Sequence, residues 1–290
     1  MESSELRVFQ MVAREGSITK AAQQLGYVQS NVTARIQSME AEVGSPLFNR
    51  HPRGMSLTSS GKLLLTYADK IIGLLDEAKL ALTDQSKPYG TLAIGSTQTC
   101  AAVRLPALLT KYYQQFPDVQ LSLTTGHTAD LIDRMLHYEL DGAFIGGSFE
   151  HPELTSVIAF PEELVIVSTP AVATLEEAVA KPVLVFSNGC SYREILQKWL
   201  SSLGPSRPPL MEFGTLEAIL GGVAAGLGIS LVPQTVADKY VKEGTMRTHT
   251  VPSPYRYINT EFITRKDAFN SSALRELIRL LQEPSAIEAD

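Results

Sequence analysis

The stretch Ser17-Ile-Thr-Lys-Ala-Ala-Gln-Gln-Leu-Gly26-Tyr-Val-Gln-Ser-Asn-Val-Thr-Ala-Arg-Ile-Gln-Ser-Met-Glu-Ala-Glu-Val43 decides the fold of the N-terminal part of the chain. Ser17 follows Gly16 and opens a run ending at Leu25, so it reads as an N-cap after the glycine that ends the preceding helix. Ala21, Ala22 and Leu25 share one face, and the paired alanines let another helix come close. Gly26 stops this helix, and Tyr27 and Val28 make the turn. In the next segment Val32, Ile36, Met39 and Val43 recur at helical period, which predicts one buried stripe. The opposite face carries Gln29, Ser30, Asn31, Thr33, Arg35 and Gln37, short or planar hydrogen-bonding groups with a single cation. Two helices across a tight glycine turn, the second with a polar outer face, make a helix-turn-helix pattern over about residues 18–37. The second helix would enter the major groove of double-stranded DNA, where amides and guanidinium groups read base edges. An ordinary helical hairpin with a solvated face has the same spacing, so the flanking residues must decide.

Upstream, Ser3 or Ser4 caps a first helix with Leu6, Phe9, Val12 and Ala13 on its inner face. Downstream of Gly44, Leu47 and Phe48 give an apolar anchor. Arg50 and Arg53, beside Pro52 and Gly54, fall on a short loop between two extended pieces. Such a wing places guanidinium groups against phosphate or in the minor groove. Thr58 reads as the next N-cap. From there Leu64, Ala68, Ile71, Leu75, Ala78 and Leu82 alternate steps of four and three, with Lys62, Lys70, Asp76 and Lys79 outside the seam. No intrachain partner is evident for this helix, so pairing with its twin in a homodimer is expected. Lys87-Pro88-Tyr89-Gly90 then marks a hinge.

The 290 residues suit two or more domains, and 44% hydrophobic with 19% charged residues is the composition of a globular chain. No apolar run reaches the roughly twenty residues that span a bilayer. The N-terminus has no basic region leading into a signal core, so a cytoplasmic protein without membrane contact is expected. Cys100 and Cys190 are too few for a disulfide scaffold or a cysteine zinc site, and the five histidines show no paired metal spacing. Neither metal nor cofactor is expected. The net charge of −6 is uneven: residues 1–58 hold six basic and five acidic groups, and residues 91–290 hold fifteen and twenty-two. Only the N-terminal part can face phosphate, and one near-neutral head needs a second beside it for useful affinity.

From Thr91 onward, short apolar runs alternate with helical patterns. Thr91–Gly95, Val119–Leu123, Leu140–Ile145, Leu164–Ser168, Pro182–Phe186 and Leu210–Phe213 read as strands with helices between them, and Ala224–Pro233 reads as a helix end, tight turn and strand. Ligands in such α/β folds sit where strand carboxyl ends meet helix amino ends. The turns that qualify are Ser96–Thr99, Thr125–Thr128, Asn188–Arg193 and Phe213–Thr215, whose hydroxyls and free backbone N–H groups suit a carboxylate or other small anion. Candidate ligand contacts are Ser96, Thr97, Thr99, Thr125, His127, Thr128, Cys190, Ser191, Arg193, Phe213 and Thr215. Ordinary helix capping accounts for Ser/Thr-Gly turns equally well. Arg193 would neutralise the anion or pair with Glu194 or Glu217. Cys190, at a helix N-terminus, would have a lowered thiol pKa, with Cys100 across the same cleft; two small buried thiols are the simpler reading.

The N-terminal residues resemble the DNA-binding segment of LysR-type transcriptional regulators. The matching pieces are Leu6-x-x-Phe9, Gly16-Ser17-Ile18, Ala21-Ala22-x-x-Leu25, Gln29-Ser30-x-Val32-Thr33, Ile36-x-x-Met39-Glu40, Gly44-x-x-Leu47-Phe48-x-Arg50 and Leu57-Thr58-x-x-Gly61. Met39 replaces the usual leucine, Asn31 a common proline, and Thr33-Ala34 a frequent Ser-Arg pair, which leaves Arg35 as the candidate guanidinium contact. The later strands resemble the same family's effector domain, a relative of solute-binding proteins.

The resemblance implies an all-α winged helix-turn-helix over residues 1–58 and a long linker and dimerisation helix over 59–87. It implies a two-lobed, periplasmic-binding-protein-like α/β effector domain over 91–290. Lobe I would span about 91–160 and 266–290 and lobe II about 161–265, with crossings near Phe160 and Arg265 and Ser272–Gln282 as the returning helix. The implied function is control of a promoter by a small-molecule effector bound between the lobes. Activation of a nearby gene, self-repression, contact with RNA polymerase and a homotetramer built from dimers come with it. The implied DNA contacts are Gln29, Ser30, Asn31, Thr33, Arg35, Arg50 and Arg53. Two other classes compete. A solute-binding protein without specific DNA recognition leaves the N-terminal helices unexplained, and an enzyme lacks any Ser-His-Asp set, phosphate loop or metal cluster.

Overall fold

The computed structural model describes residues 1–52, 54–83, 87–204 and 208–283, so Arg53 lies outside the described residues. The chain forms two compact units, Met1–Thr83 and residues 84–290.

The first unit contains α1 (Ser3–Glu15), α2 (Ile18–Leu25), α3 (Gln29–Val43), strands β1 (Phe48–His51) and β2 (Gly54–Leu57), and α4 (Ser59–Thr83). Glycines in the left-handed region end α1, α2 and α3 at Gly16, Gly26 and Gly44. Ser17 caps α2 by accepting from Lys20 N at 3.4 Å. The N-cap of α1 is Glu2 and not Ser3 or Ser4: Glu2 N donates to Glu5 Oε2 at 2.9 Å, completing a capping box. Glu40, on α3, accepts from Leu47 N at 2.8 Å and so fixes the chain that leads into the wing.

Phe9, Val12, Ala21, Ala22, Val32, Ile36, Met39, Leu47 and Phe48 are buried in one core, the Phe9 and Phe48 rings 5.3 Å apart. Val43 departs from the expected stripe and is exposed, because α3 outruns the core at its C-terminal end. β1 and β2 pair antiparallel, with Arg50 opposite Met55, so Arg50 sits on a strand and not on the loop. Gly54 (φ 136°) lies where a Cβ would come within 2.6 Å of the Gly16 carbonyl oxygen, and Met55 N donates to that same oxygen at 2.8 Å. Glycine there lets the wing seat against the end of α1.

The expected seam of α4 is divided. Ala68 and Ile72 are buried, and Leu64 and Leu65 pack half-buried against the unit's own core. Leu63, Tyr67, Ile71, Leu74, Leu75 and Leu82 are exposed, with Leu63 at 62% and Leu82 at 88%. The uncovered stripe is therefore rotated from the Leu64–Ala68 line onto Leu63, Tyr67, Ile71 and Leu74, because the first turns of the helix belong to the N-terminal core.

In the second unit, β3 (Gly90–Ser96), α5 (Gln98–Val103), α6 (Leu105–Gln115), β4 (Val119–Thr125), α7 (Thr128–Leu136) and β5 (Gly142–Gly146) build lobe I. β6 (Leu154–Ser168) leaves it. Lobe II follows with α8 (Leu175–Val179), β7 (Val183–Val185), α9 (Ser191–Ser202), β8 (Leu210–Glu212), α10 (Leu216–Ala224), β9 (Ser230–Pro233), α11 (Gln234–Lys242), β10 (Arg247–Thr250) and α12 (Ser253–Arg256). β11 (Tyr257–Arg265) returns and α13 (Ser272–Leu281) closes lobe I.

The strand order β10-β6-β11-β5-β3-β4, with β9 also on β6, makes one sheet that runs through both lobes. β3 pairs parallel with β4 and β5, whereas β11 is antiparallel to both β5 and β6. Each lobe buries apolar side chains on both faces of its part of the sheet: α5, α6 and α13 against one face of lobe I and α7 against the other. α8 and α9 cover one face of lobe II, and α10 and α11 the other.

The first crossing falls within β6 at Phe160–Pro161. The second differs from the expected Arg265: β11 pairs with lobe I strand β5 from Thr260 to Ile263, so the chain is back in lobe I by Thr260. The register of β6 and β11 shifts between Thr260 and Glu261, which face Phe160 and Ile158. Ala159 is the bulged residue, and consecutive Ala159 and Phe160 both enter the same core.

Candidate DNA-reading face and interlobe cleft

α3 starts at Gln29 with Val28 as an N-cap that supplies no side-chain bond, so Gln29, Ser30 and Asn31 stand exposed at the leading end of the helix. Gln29 Oε1 accepts from Thr19 Oγ1 at 3.3 Å, and Thr33 Oγ1 donates to the Gln29 carbonyl at 2.9 Å. Thr33 is thereby turned along its own helix. Arg35 Nε donates to Asn31 Oδ1 at 2.9 Å and its Nη1 to Ser4 Oγ at 3.3 Å, with the guanidinium 5.6 Å from the Tyr27 ring centroid. Arg35 is thus braced along the flank of α3. The i, i+4 spacing of Asn31 and Arg35 carried that signal in the sequence. Arg50 is exposed on β1, next to His51, whose Nε2 is 3.0 Å from Ser56 Oγ.

The turns between strands and helices meet at the cleft between the lobes. Thr97, Gln98 and Thr99 from the start of α5, Gly126, His127 and Thr128 from the start of α7, and Gly146 supply the lobe I wall. Phe186, Cys190, Ser191 and Tyr192 supply the lobe II wall. The cavity is partly open and its volume is about 30 Å³.

Four sets of bonds cross it. Ser191 Oγ donates to the Gly146 carbonyl at 2.6 Å, His127 Nε2 lies 2.7 Å from Ser187 Oγ, and Thr99 Oγ1 lies 3.3 Å from the buried Tyr192 hydroxyl. Gln98 reaches the start of α10, donating to the Gly214 carbonyl at 3.2 Å and accepting from Leu216 N at 3.0 Å. Beside the first crossing, Arg104 Nε and Nη2 each lie 2.9 Å from a Glu162 carboxylate oxygen, the two side chains 12% and 3% exposed. The same guanidinium lies over the Phe160 ring at 5.5 Å.

Of the residues named from sequence, Thr97, Thr99, His127, Thr128, Cys190 and Ser191 line the cavity. Ser96 is fully buried, its Oγ donating to the Thr97 carbonyl at 3.0 Å, and Thr125 ends β4 with its side chain exposed. Thr215 caps α10 by accepting from Ala218 N at 3.2 Å, and Phe213 packs half-buried in lobe II. Arg193 is turned away from the cavity. Its Nη1 donates to the Phe186 carbonyl at 2.8 Å and to Glu212 at 2.7 Å, so its ion pair is with Glu212 and neither Glu194 nor Glu217. Gln98, Phe186 and Tyr192 were missed. Gln98 stood inside a turn already named, and only the tertiary fold brings it to α10.

The thiols differ from the reactive alternative. Burial pushes the Cys100 thiol up to about 12, and Cys190 is also raised by burial, with the Arg193 and Tyr192 N–H groups pulling the other way. Desolvation outweighs the helix N-terminus. Cys100 lies in the lobe I core and does not line the cavity. Among the described residues no group of three His, Cys, Asp or Glu is placed to hold a metal, and no helix is long and apolar enough to cross a membrane.

A winged helix-turn-helix unit followed by a two-lobed α/β unit with a cavity between its lobes defines a DNA-binding regulator with its own small-molecule sensor. Residues 3–62 match the family described as bacterial regulatory helix-turn-helix protein, lysR family, and residues 85–285 match the LysR substrate binding domain. The chain is 65% identical over 275 residues, covering 95% of it and 93% of the relative, to the uncharacterized HTH-type transcriptional regulator YusT of Bacillus subtilis (strain 168). Its fold is similar to a full-length OxyR variant from Pseudomonas aeruginosa, with a TM-score of 0.73 and 20% identity over 97% of this chain and 93% of that one. It is likewise similar to full-length CbnR in complex with its target DNA, with a TM-score of 0.68 and 21% identity over 97% and 99% of the two chains. This chain belongs to the LysR family of transcriptional regulators. It is a DNA-binding regulator with an effector-binding domain, not an enzyme.

Proposed function

We propose that the chain acts in the cytoplasm as a homodimer, assembled further into a homotetramer, that places two α3 helices in the major grooves of a dyad operator and engages RNA polymerase at the promoter. Gln29, Ser30, Asn31 and Thr33 read bases; Arg50 and Arg53 hold phosphate; Arg35 fixes the Asn31 amide as well as adding charge. The observation that carries the dimer is the uncovered apolar stripe Leu63, Tyr67, Ile71, Leu74 on α4, larger than a solvated helix tolerates singly. Two heads also supply the affinity that one near-neutral head lacks.

The effector is a small anion. The first turns of α7 and α9, nine and twelve residues long, converge on the cavity with the hydroxyls of Thr97, Thr99, Thr128 and Ser191. No cation lines the cavity, because Arg193 is engaged by Glu212. Backbone dipoles and hydroxyls then do the neutralising. The test is a mobility shift of the gene's own upstream DNA at low ionic strength, beside sedimentation of the free protein. A shifted, dimeric or tetrameric species supports the reading; a monomer that leaves that DNA unshifted sinks it.

A further inference from the structure

On the outer side of the Ser191–Gly146 hydrogen bond the cleft continues into a second, larger cavity of about 540 Å³. It is lined by the half-buried Ile195 of α9 and Ile258 of β11 together with Ser148, Asn259 and the exposed Glu194 and Lys198. Glu194 and Lys198 stand one helical turn apart on α9, with Cβ atoms on the order of 6 Å apart. Among the described residues neither has an ion-pair partner within 4.0 Å, not even the other. Gly147, in the left-handed region (φ 92°), removes a side chain from the opposite rim. One anion, one cation, two amide or hydroxyl groups and two isoleucines thus face one space of the size that small ligands occupy.

We propose that this outer cavity is a second ligand site, for a zwitterion of the α-amino-acid type. Its carboxylate meets Lys198, its ammonium meets Glu194, and its side chain lies on Ile195 and Ile258. A ligand bearing only one charge leaves one of the two groups uncompensated, which is the basis of selection. Because Gly146 and Ser191 form the wall between the two cavities, occupancy of the outer one bears on the bond that closes the inner one. The inference goes beyond the effector reading of the inner cavity and stands apart from it.

The test titrates the full-length protein with each standard L-α-amino acid by calorimetry and by fluorescence of Trp199, the only tryptophan, which neighbours Lys198. At least one amino acid binds. Lys198→Gln and Glu194→Gln each weaken it about tenfold, the scale of one charge-assisted hydrogen bond. The N-acetyl derivative, which lacks the ammonium, binds wild type about tenfold more weakly yet binds Glu194→Gln as well as the parent amino acid does. Absence of amino-acid binding overturns the proposal, as does equal affinity in both variants, which leaves Glu194 and Lys198 a solvated surface pair. If Thr128→Val abolishes binding and the two α9 variants do not, the ligand sits in the inner cavity; the outer site then fails and the effector reading stands.

Discussion

Ser191 Oγ, the first residue of α9, donates to the carbonyl of Gly146, the last residue of β5, at 2.6 Å, and so ties lobe II to lobe I across the mouth of the inner cavity. The cavity volume is about 30 Å³, and opening of such bonds would enlarge it for a multi-atom effector. Removing one hydrogen bond of this kind is worth about 1 kcal/mol, or about fivefold in the open population. Ser191→Ala therefore speeds amide exchange at the end of β5 and the first turn of α9 by about that factor. Unchanged exchange there means the bond does not hold the lobes.

The Arg104–Glu162 pair is bidentate, with Glu162 buried and Arg104 12% exposed at the edge of the contact. Glu162→Gln leaves the guanidinium uncompensated and costs about 3–5 kcal/mol, whereas Arg104→Met with Glu162→Leu together cost less than either change alone. Urea unfolding followed by Trp199 fluorescence checks this. Additive losses would show that the two groups do not act as a unit.

Cys100 is raised from an ordinary 9.0 to about 12 by burial. Its thiol stays protonated in the folded protein while the unfolded chain ionises near pH 9, so this contribution to stability is complete below pH 9 and fades as pH rises toward 12. At neutral pH, iodoacetamide labels Cys100 on the order of a hundredfold more slowly in native than in urea-unfolded protein. Mass spectrometry of the labelled peptide reads the ratio, and equal rates would contradict the burial.

Arg50 and Gln29 separate attraction from reading. Arg50→Ala lowers affinity for every duplex alike and reduces the salt slope by about one. Gln29→Ala costs about 1–3 kcal/mol on the operator and relaxes preference at one base pair. Fluorescence anisotropy against operator and scrambled duplexes across a salt series distinguishes them; identical profiles for the two variants refute the division of roles.

Leu74→Glu puts a charge into the uncovered stripe of α4. Sedimentation is expected to show dissociation to monomer with the fold intact by circular dichroism. A Leu74→Glu protein that sediments as wild type places the subunit contact elsewhere.

The sequence was most legible where spacing alone does the work. Gly16, Gly26 and Gly44 end the helices as read, and Thr97, Thr99, His127, Thr128, Cys190 and Ser191 are brought together at the cleft. It was least legible where one residue serves two neighbours. Leu64 and Ala68 satisfy a heptad on paper but are taken by the N-terminal core, which shifts the free face to Leu63 and Tyr67. Arg193 is a cation beside a cleft, and only the tertiary fold shows Glu212 holding it. The second crossing, expected near Arg265, is hard to read because the later half of β11 is buried throughout, polar residues included, and burial on both faces hides the point at which its partner changes.

The bulge at Ala159 decides which way the next residues point. By setting Ala159 and Phe160 into one core, it sends Glu162, two residues on, to the side where Arg104 waits. Without the bulge, strict alternation onward from Ile158 would aim Phe160 and Glu162 at the opposite face. Since β6 and β11 stay hydrogen-bonded to each other from one lobe into the other, the lobes share a two-railed track rather than a pair of loose tethers. Paired strands carry a right-handed twist, so a small change of twist along β6 and β11 would turn one lobe against the other.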